Sequence, residues 1–320
     1  MSRNTFLNGL KLAAAGMIFL LIAGWMQNIH PAFDSPSHFR LHLVSALVVT
    51  GLVLLVFRCW VWAMAGLLVA AISIGLTLPY LPGSGGINAQ AALVENIDDD
   101  PANILRVVQA NVRYNNAETH KASKIIAAAK PDIILLQEIT RISEGILTDF
   151  EDSHPHQVFC HRQGVGSVAI LSRFPLGNPN RRQCLWRLGF ARADFVINGK
   201  PVAFASFHSR WPWPFSQPRQ LQALRPEFEQ LGHPVILAGD FNATPWSAAV
   251  QQTAEITGSK IASGLHFTWG SPATQLRQLM GPVLPIDQIM ISPELSYLSR
   301  RVLPDSGSDH YPVLTRIRLR

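Results

Sequence analysis

Six short polar strings, each placed where a β-rich run of the sequence ends, carry the side chains that could do chemistry. They supply carboxylates, carboxamides and imidazoles, which bind divalent cations, hold phosphate oxygens and move protons. Any one string alone is more often a turn or a surface feature. As a set they predict a single site, because strand ends in an α/β domain border the ligand cleft. The strings are Gln109-Ala110-Asn111, Leu136-Gln137-Glu138, Ser206-Phe207-His208, Gly239-Asp240-Phe241-Asn242, Ile286-Asp287-Gln288 and Ser308-Asp309-His310-Tyr311-Pro312.

The chemistry that suits this set is the hydrolysis of a phosphate ester. An anionic phosphodiester repels a nucleophile, and its transition state spreads charge over the nonbridging oxygens, so the site needs a divalent cation and fixed donors. The carboxylate of Glu138 is a hard oxygen ligand, and such ligands favour Mg²⁺, with Mn²⁺ as the alternative. No cysteine occurs in the six strings, which argues against a zinc–thiolate site.

These strings resemble the endonuclease/exonuclease/phosphatase superfamily, the DNase I-like hydrolases, over residues 104–320. The Gly-Asp-Phe-Asn string at 239–242 and the Ser-Asp-His-Tyr-Pro string at 308–312 are the most specific parts. The resemblance implies an α/β fold, the four-layer α/β sandwich. The first 100 residues lie outside the pattern and look like the multi-span N-terminal anchors of some bacterial members.

The resemblance also implies residue roles. Asp240 would orient the attacking water and Asn242 would hold the phosphate, while His310 would bind a nonbridging oxygen with Asp309 as its partner. His208 would lie near the leaving oxygen with Asp287 as its charge partner. The assignment of acid and base among His208, Asp240 and His310 stays open. The implied catalytic set is His208, Asp240, Asn242, Asp287, Asp309 and His310, and the implied metal ligands are Asn111, Glu138 and Asp309.

The elements that must position these residues alternate between β-rich runs and helical apolar spacing, which predicts a layered α/β domain over residues 103–320. Predicted helices cover Ala117–Lys130, Gln220–Leu231 and Ser247–Glu255. Predicted strands cover Ile104–Gln109, Ile133–Gln137, Ser167–Leu171, Ala191–Ile197, Val202–Phe207, Val235–Ala238, Ile286–Ile291 and Val313–Leu319.

The first quarter of the chain has a different composition. The protein is 48% hydrophobic and 15% charged, and residues 1–80 contain only Arg3, Lys11, Asp34, Arg40 and Arg58 as charged residues. Three apolar stretches near the lower limit of roughly 17 to 25 residues for a bilayer span predict three transmembrane helices. They are Leu12–Met26, Leu41–Phe57 and Val61–Pro79, and a cleavable signal peptide is the weaker interpretation of the first. Residues 81–102 are predicted to be a linker.

The basic flanks predict the orientation of this anchor. Arg3 and Lys11 precede the first stretch and Arg58 separates the second from the third, so the N-terminus is expected in the cytoplasm. Three spans then place the catalytic domain in the periplasm, or otherwise outside the cytoplasmic (inner) membrane of a bacterium. The expected partners are the lipid bilayer and a phosphodiester substrate, and no protein partner is inferred.

Three questions stay open at the level of sequence. The substrate is either a polynucleotide or a phospholipid or phosphoinositide headgroup, and an inactive binding module is the third alternative. Thr140 stands where several nucleases of the superfamily carry a basic residue, which argues against a DNA-repair role. The aromatic and proline run at Trp211–Pro214 is either a binding wall or a loop packed on its own domain, and Cys160 and Cys184 are either a disulfide or two buried thiols.

Overall fold

The computed structural model describes residues 2–81, 103–161, 165–232, 234–270, 281 and 283–320. Residues 82–102, which hold nearly all of the predicted linker, lie outside the described residues. Within the described ranges the strands are β1 Ile104–Asn111, β2 Ile133–Ile139, β3 His156–Cys160, β4 Ser167–Ser172, β5 Gln183–Leu185, β6 Phe190–Ile197, β7 Lys200–His208, β8 Val235–Asp240, β9 Lys260–Ile261, β10 Asp287–Ile291, β11 Leu295–Val302 and β12 Val313–Leu319. The helices are α1 Arg3–Trp25, α2 Pro31–Ser37, α3 Arg40–Val56, α4 Trp60–Gly75, α5 Thr119–Ala128, α6 Gly145–Asp149, α7 Gln217–Glu229 and α8 Ala248–Ile256.

The strands form two six-stranded sheets that pack face to face. One has the order β11-β12-β1-β2-β4-β3 and the other β5-β6-β7-β8-β10-β9. Their inner faces share one apolar core, in which Leu105 and Ile133 of the first sheet meet Phe204 and Ile236 of the second. Helices α5 and α6 cover the outer face of the first sheet, and α7 and α8 cover that of the second. The predicted four-layer α/β sandwich is therefore confirmed.

Strand register brings the polar strand ends together. In the second sheet β7 runs parallel to β8 with His208 opposite Asp240, and β8 runs antiparallel to β10 with Asp240 opposite Asp287. In the first sheet β1 runs parallel to β2 with Asn111 opposite Gln137, next to Glu138. The site residues of both sheets consequently meet along one edge of the sandwich.

The N-terminal helices α1, α3 and α4 pack on one another around a small apolar core that includes Leu47, Leu54 and Ala63. Their outer faces are apolar as well, and Val56 and Val61 are 79% and 81% exposed. Among the described residues two helices are long and apolar enough to cross a membrane. They are α1, Arg3–Trp25, and the segment Trp60–Tyr80, which consists of α4 and the short 3-10 turn after it.

The second predicted span differs from the expectation. Helix α3 has 17 residues, and it reaches a spanning length only together with α2, from which it is bent by 60°. Helix α2 contains prolines at both Pro31 and Pro36 and the acid Asp34, a composition that does not extend an apolar span. Three spans therefore result only when α2 and α3 are counted as one bent span.

The segment between α1 and α3 docks onto the α/β sandwich. The carboxylate of Asp34 accepts hydrogen bonds from the backbone N–H groups of Ala248 (3.0 Å) and Ala249 (3.4 Å), at the first turn of α8. The indole N–H of the buried Trp246 donates to the Ser37 carbonyl at 2.7 Å. A carboxylate at a helix N-terminus satisfies unpaired N–H donors and interacts favourably with the helix dipole. The single acid of the first 80 residues thus joins the N-terminal helices to the segment that follows Asn242.

Cys160 and Cys184 form a disulfide with their Cα atoms 5.3 Å apart. The bridge joins β3 of the first sheet to β5 of the second, so it links the two halves of the sandwich. Of the two interpretations left open by the sequence, the paired one holds. Among the described cysteines Cys59 is free.

Candidate active site

Glu138 stands at an irregularity in β2, where the pairing with β4 shifts register between Gln137 and Ile139. Its φ of 58° lies in the left-handed region, which turns its side chain into the cleft. One carboxylate oxygen accepts from Asn111 Nδ2 at 3.0 Å and the other from the Tyr114 N–H at 2.9 Å. Burial acts to raise the pKa of Glu138, but nearby His208 and these two donors outweigh it and the pKa lies below its ordinary value. Glu138 is therefore held as a carboxylate.

Asp240 occupies the centre of the cluster and is buried. Its Oδ1 accepts from the Asn242 N–H at 2.8 Å, and its Oδ2 accepts from Asn111 Nδ2 at 3.0 Å. The Nε2 atoms of His310 and His208 lie 3.5 and 3.7 Å from Oδ2. Burial raises the pKa of Asp240 to about 6, with the positive charge of His310 opposing the rise and the charge of Asp287 adding to it. A carboxyl group with such a pKa is suited to accept a proton near neutral pH.

His310 is paired with Asp287, whose Oδ2 lies 2.8 Å from His310 Nδ1. Burial acts to lower the pKa of His310, but Asp287 and then Asp240 dominate and raise it to about 10. Burial likewise acts to raise the pKa of Asp287, and His310 holds it below its ordinary value. The pair is therefore an imidazolium against a carboxylate, which suits His310 to bind an anionic oxygen.

These pairings differ from those expected from the sequence. Asp287 was expected to partner His208 and Asp309 to partner His310, whereas Asp287 pairs with His310. The reason is the strand order β7-β8-β10, which places Asp240 between His208 on one side and Asp287 on the other.

His208 ends β7 and faces the acids of both sheets. Its Nε2 lies 3.4 Å from Glu138 Oε1. Its backbone is fixed on both sides, since its N–H donates to the Gly189 carbonyl at 2.8 Å and its carbonyl accepts from Gln220 Nε2 at 2.9 Å. The imidazole is thus presented from a rigid strand end to the opening of the cleft.

The Gly-Asp-Phe-Asn string has a local steric explanation. Gly239 has a φ of 156°, and a Cβ there would lie 1.8 Å from the Phe207 carbonyl oxygen, so only glycine fits beside β7. Asn242 has a φ of 48°, which reverses the chain directly after Asp240. The Asn242 amide donates to the Ser209 carbonyl at 2.8 Å and so holds this reversal against the end of β7.

Asp309 lies apart from the other acids. Its Oδ1 is 4.0 Å from Arg113 Nε and accepts from Ser308 Oγ at 3.4 Å. The Asn111 amide nitrogen faces Glu138 and Asp240, and its oxygen accepts from the Arg113 N–H at 2.9 Å. The structure therefore brings together every predicted site residue except Asp309, which stands at the margin.

A metal ion would fit the donor set of this cluster. Among the described residues, two groups have ligand atoms that all lie within 4.8 Å of one another: Glu138, His208 and Asp240, and Asp240, Asp287 and His310. Glu138 is half-buried and held ionised, and among the described residues no Lys or Arg forms a salt bridge with it, which leaves its charge available to a cation. Carboxylate and imidazole donors without thiolate suit a hard or intermediate divalent ion.

Sequence reasoning noticed Gln109, Gln137 and Ser206 as polar strand ends but gave them no role. Gln109 Nε2 donates to Asp287 Oδ1 at 2.7 Å and to Gln137 Oε1 at 2.9 Å, and Gln137 Nε2 donates to Ser206 Oγ at 2.9 Å. This buried series of hydrogen bonds connects the two sheets, and it orients the carboxylate of Asp287. The signal in the sequence is the occurrence of two glutamines within mostly apolar strands, because a buried amide needs a hydrogen-bond partner.

The comparisons with known proteins agree with this geometry. A family model described as the Endonuclease/Exonuclease/phosphatase family matches residues 108–310, and the chain belongs to that family. No curated protein sequence matches the chain.

Solved structures of the same fold come from three kinds of organism. The endonuclease/exonuclease/phosphatase from Beutenbergia cavernae DSM 12333 is 20% identical with a TM-score of 0.52, covering 68% of this chain and 72% of that one. D. rerio TDP2 complexed with single strand DNA product is 18% identical with a TM-score of 0.53, covering 67% and 99%. An AP endonuclease from Archaeoglobus fulgidus is 17% identical with a TM-score of 0.52, covering 66% and 98%. At these identities the likeness concerns the fold.

Members of the family are metal-dependent phosphoester hydrolases, and the chain is an enzyme of this class. The expected superfamily and reaction class are therefore confirmed.

Proposed function

We propose that this protein is a membrane-anchored phosphodiesterase that uses Mg²⁺, with Mn²⁺ as the alternative, and that its catalytic domain lies outside the cytoplasm. The observation that carries the proposal is the cluster in which the half-buried Glu138 and the buried Asp240 and Asp287 converge on the imidazoles of His208 and His310. All of its acids and histidines are present, which favours an enzyme over an inactive binding module.

The cation would be held by Glu138 with Asn111 beside it, and it would polarise the phosphate and offset its negative charge. Asp309, at the margin near Arg113, would complete the ligand set from outside the two groups. Ligands of this kind leave several positions of Mg²⁺ to water and substrate. Protein side chains would carry out the proton transfers and bind the phosphate oxygens.

In the proposed reaction Asp240 orients water toward phosphorus and takes its proton. The water oxygen bonds to phosphorus, the ester oxygen leaves with the electron pair of the broken bond, and His208 or solvent returns a proton to it. The His310 imidazolium, held by Asp287, stabilises the charge on a nonbridging oxygen, and Asn242 holds the phosphate. In this reaction Asp240 is the general base, and His208 or solvent is the general acid.

The proposed topology has support at both ends of the helical bundle. Arg3 lies 5.6 Å from the ring of Phe57, so Arg3 and Arg58 share one end. The opposite end contacts the catalytic domain through the segment between α1 and α3 and through Tyr80, whose carbonyl accepts from the Gly264 N–H at 3.1 Å. Basic residues favour the cytoplasmic side, which puts the domain on the other side. A disulfide in that domain is consistent with an oxidising compartment.

The test uses the full chain in detergent with bis-p-nitrophenyl phosphate as the substrate. We expect Mg²⁺-dependent hydrolysis that is abolished by EDTA and lowered by roughly 10² or more in Glu138→Gln and Asp240→Asn, as losses of transition-state stabilisation are. Glu144→Gln, which changes an exposed acid, is the matched control. Equal rates in Glu138→Gln and the control would refute the proposed site.

Plasmid DNA and phospholipid vesicles in the same assay separate the substrate classes. The lipid class has one specific observation in its favour, an apolar groove that reaches the site.

A further inference from the structure

An apolar groove of about 160 Å³ lies between the anchor and the catalytic domain. One wall comes from the segment before α3, including Phe39, and the other from the aromatic and proline loop after β7 and from the segment that precedes β10. Among its lining residues are Phe39, Trp211, Trp213, Phe215, Asn242 and Leu284. The groove is therefore built jointly by the anchor and the enzyme.

One end of the groove opens at the catalytic cluster. Asn242 lines it, and the Asn242 N–H donates to Asp240 Oδ1 at 2.8 Å. Trp211, which also lines the groove, packs edge-on against Trp269 with ring centroids 6.0 Å apart, and Trp269 pairs through its backbone with His310. A ligand in the groove would thus extend directly from a phosphate at Asp240 and His310.

The other end lies where the chain enters the helical bundle. Phe39 directly precedes Arg40, the first residue of α3. The aromatic loop is fixed to the anchor at this end, because Ser35 Oγ donates to the Trp213 carbonyl at 2.6 Å and the His30 ring lies 6.5 Å from the Trp213 ring. The groove is therefore continuous with the segments proposed to lie in the bilayer.

The aromatic side chains of the groove are open rather than packed away. Phe39, Trp211, Trp213 and Phe215 are 45–65% exposed. An exposed patch of large apolar side chains is characteristic of a surface that binds an apolar partner, and tryptophans of this kind concentrate at membrane interfaces. Of the two interpretations that the sequence leaves open for the loop, this exposure favours a binding wall.

We propose that the groove is a subsite for the hydrocarbon tail of an amphipathic phosphoester drawn from the adjacent leaflet of the bilayer. The phosphate of such a substrate reaches Asp240 and His310 while its tail stays on Phe39, Trp211 and Phe215. The inference rests on the proposed function, and it narrows the substrate class from phosphodiesters in general to lipids.

The charge of the groove distinguishes this occupant from a nucleic acid strand. Among the described residues that line the groove, none is Lys or Arg. Proteins that bind single strands combine aromatic platforms with a basic groove along the phosphates, and the basic component supplies much of the affinity. Aromatic walls without basic side chains suit a tail.

The experiment measures kcat/KM of the full chain in detergent with Mg²⁺ on p-nitrophenyl alkyl phosphodiesters of increasing chain length, from methyl to octyl. Water adds to phosphorus and p-nitrophenolate leaves with the electron pair of the broken bond, so every ester undergoes the same step. Each methylene that enters an apolar site can contribute up to about a fourfold gain. We expect kcat/KM to rise along the series, and the octyl-to-methyl ratio to fall at least about tenfold in Phe215→Ala and in Phe39→Ala.

Trp186→Ala is the matched control, because Trp186 is 45% exposed, like Trp213, and is not among the residues that line the groove. It should keep the wild-type ratio. The substituted side chains are exposed, and an unchanged melting temperature verifies the fold of each variant.

The outcomes separate the two proposals. Three results would overturn the tail subsite and leave the proposed phosphodiesterase intact. The first is a kcat/KM that does not change along the series although the methyl ester is hydrolysed, and the second is an octyl-to-methyl ratio unchanged in both groove variants. The third is hydrolysis of plasmid DNA with no preference for longer esters. Absence of hydrolysis of every ester with Mg²⁺ and with Mn²⁺ would overturn the proposed function and the subsite with it.

Discussion

The charge of His310 depends on one neighbour more than on any other. Asp287 lies 2.8 Å from its Nδ1 and is itself oriented by Gln109 at 2.7 Å. An imidazole in a buried site would ordinarily lose its proton near neutral pH, and here the carboxylate pair raises its pKa to about 10. The proposed binding of an anionic phosphate oxygen by His310 therefore depends on the His310–Asp287 pair rather than on His310 alone.

This argument predicts the pH dependence of an Asp287→Asn variant. A histidine whose pKa is raised stays charged until the pH passes the raised value, so removal of its partner should move the basic limb of the kcat/KM profile to lower pH. The maximum rate should fall as well, since a neutral imidazole binds the phosphate oxygen less well. The measurement is a full pH profile of both proteins, with the exposed Asp152→Asn as control. Superimposable basic limbs would show that Asp287 does not set the charge of His310.

At the scale of elements, α2 belongs to the N-terminal helical segment in sequence but packs on the α/β sandwich. Its Asp34 binds the first turn of α8, whose own cap is Ser247, with Oγ accepting from the Val250 N–H at 3.2 Å. The segment that leads to α8 begins directly after Asn242, the last residue of the Asp240–Asn242 turn of the proposed site. Movement of this segment would consequently reach the site.

We predict that Asp34→Ala lowers stability. Two backbone N–H groups of Ala248 and Ala249 would lose their acceptor in a buried setting, at a cost of about 1–3 kcal/mol. A lower melting temperature of the full chain in detergent, compared with the exposed Asp152→Ala, is the expected result. A melting temperature equal to that of the control would show that the docking of α2 contributes nothing to stability.

His154, which lies two residues before β3, makes the stability of the sandwich sensitive to acid. Burial lowers its pKa to about 4, and its Nε2 lies 3.2 Å from the Pro131 carbonyl. Between about pH 6.5 and that value the unfolded chain binds a proton that the folded chain does not, so stability falls as the pH falls, by up to about 1.4 kcal/mol per pH unit for this group. The stability contribution is fully present only above the unfolded pKa.

His154→Gln should therefore reduce the slope of melting temperature against pH in this window. His266, whose pKa burial also lowers to about 4, retains its own part of the slope. His120→Gln changes an exposed histidine and is the control. If the slope were the same in both variants, His154 would not be the group that titrates.

At the scale of the whole molecule, direct hydrogen bonds from the segment between α1 and α3 join the N-terminal helices to the α/β sandwich. The catalytic cleft, the aromatic groove and the docked segment before α3 all lie at the same end of the helical bundle. This arrangement suits a substrate that never leaves the bilayer completely. A fragment that begins at about residue 103 would lack the segment before α3. Trp246 and the first turn of α8 would then lose the hydrogen-bond partners that this segment supplies.

The proposed topology predicts the behaviour of C-terminal reporter fusions. Alkaline phosphatase joined after Arg320 should be active, because it folds only in an oxidising compartment, and a reporter that works only in the cytoplasm should be inactive. Denatured, unreduced protein should contain one reactive thiol, that of Cys59. An active cytoplasmic reporter together with three free thiols would place the domain in the cytoplasm.

The sequence by itself determined the composition of the site and the class of the fold. The polar strings at the ends of apolar runs, above all Gly239–Asn242, predicted which residues converge, because the ends of neighbouring strands meet at one edge. The strands along the centre of each sheet were predicted within a few residues. The shorter or edge strands β3, β5, β9 and β11 were missed, since their half-exposed residues lack a continuous apolar run.

Only the tertiary structure decided how these residues are paired. Whether Asp287 contacts His208 or His310 depends on the order β7-β8-β10 and on strand register, which are set by packing between segments far apart in the chain. The same holds for the Cys160–Cys184 bridge between two sheets and for Asp34, which binds α8 more than 200 residues away. The local sequence shows residue types and their periodicity. It does not show which segments far apart in the chain pack against each other and exclude water.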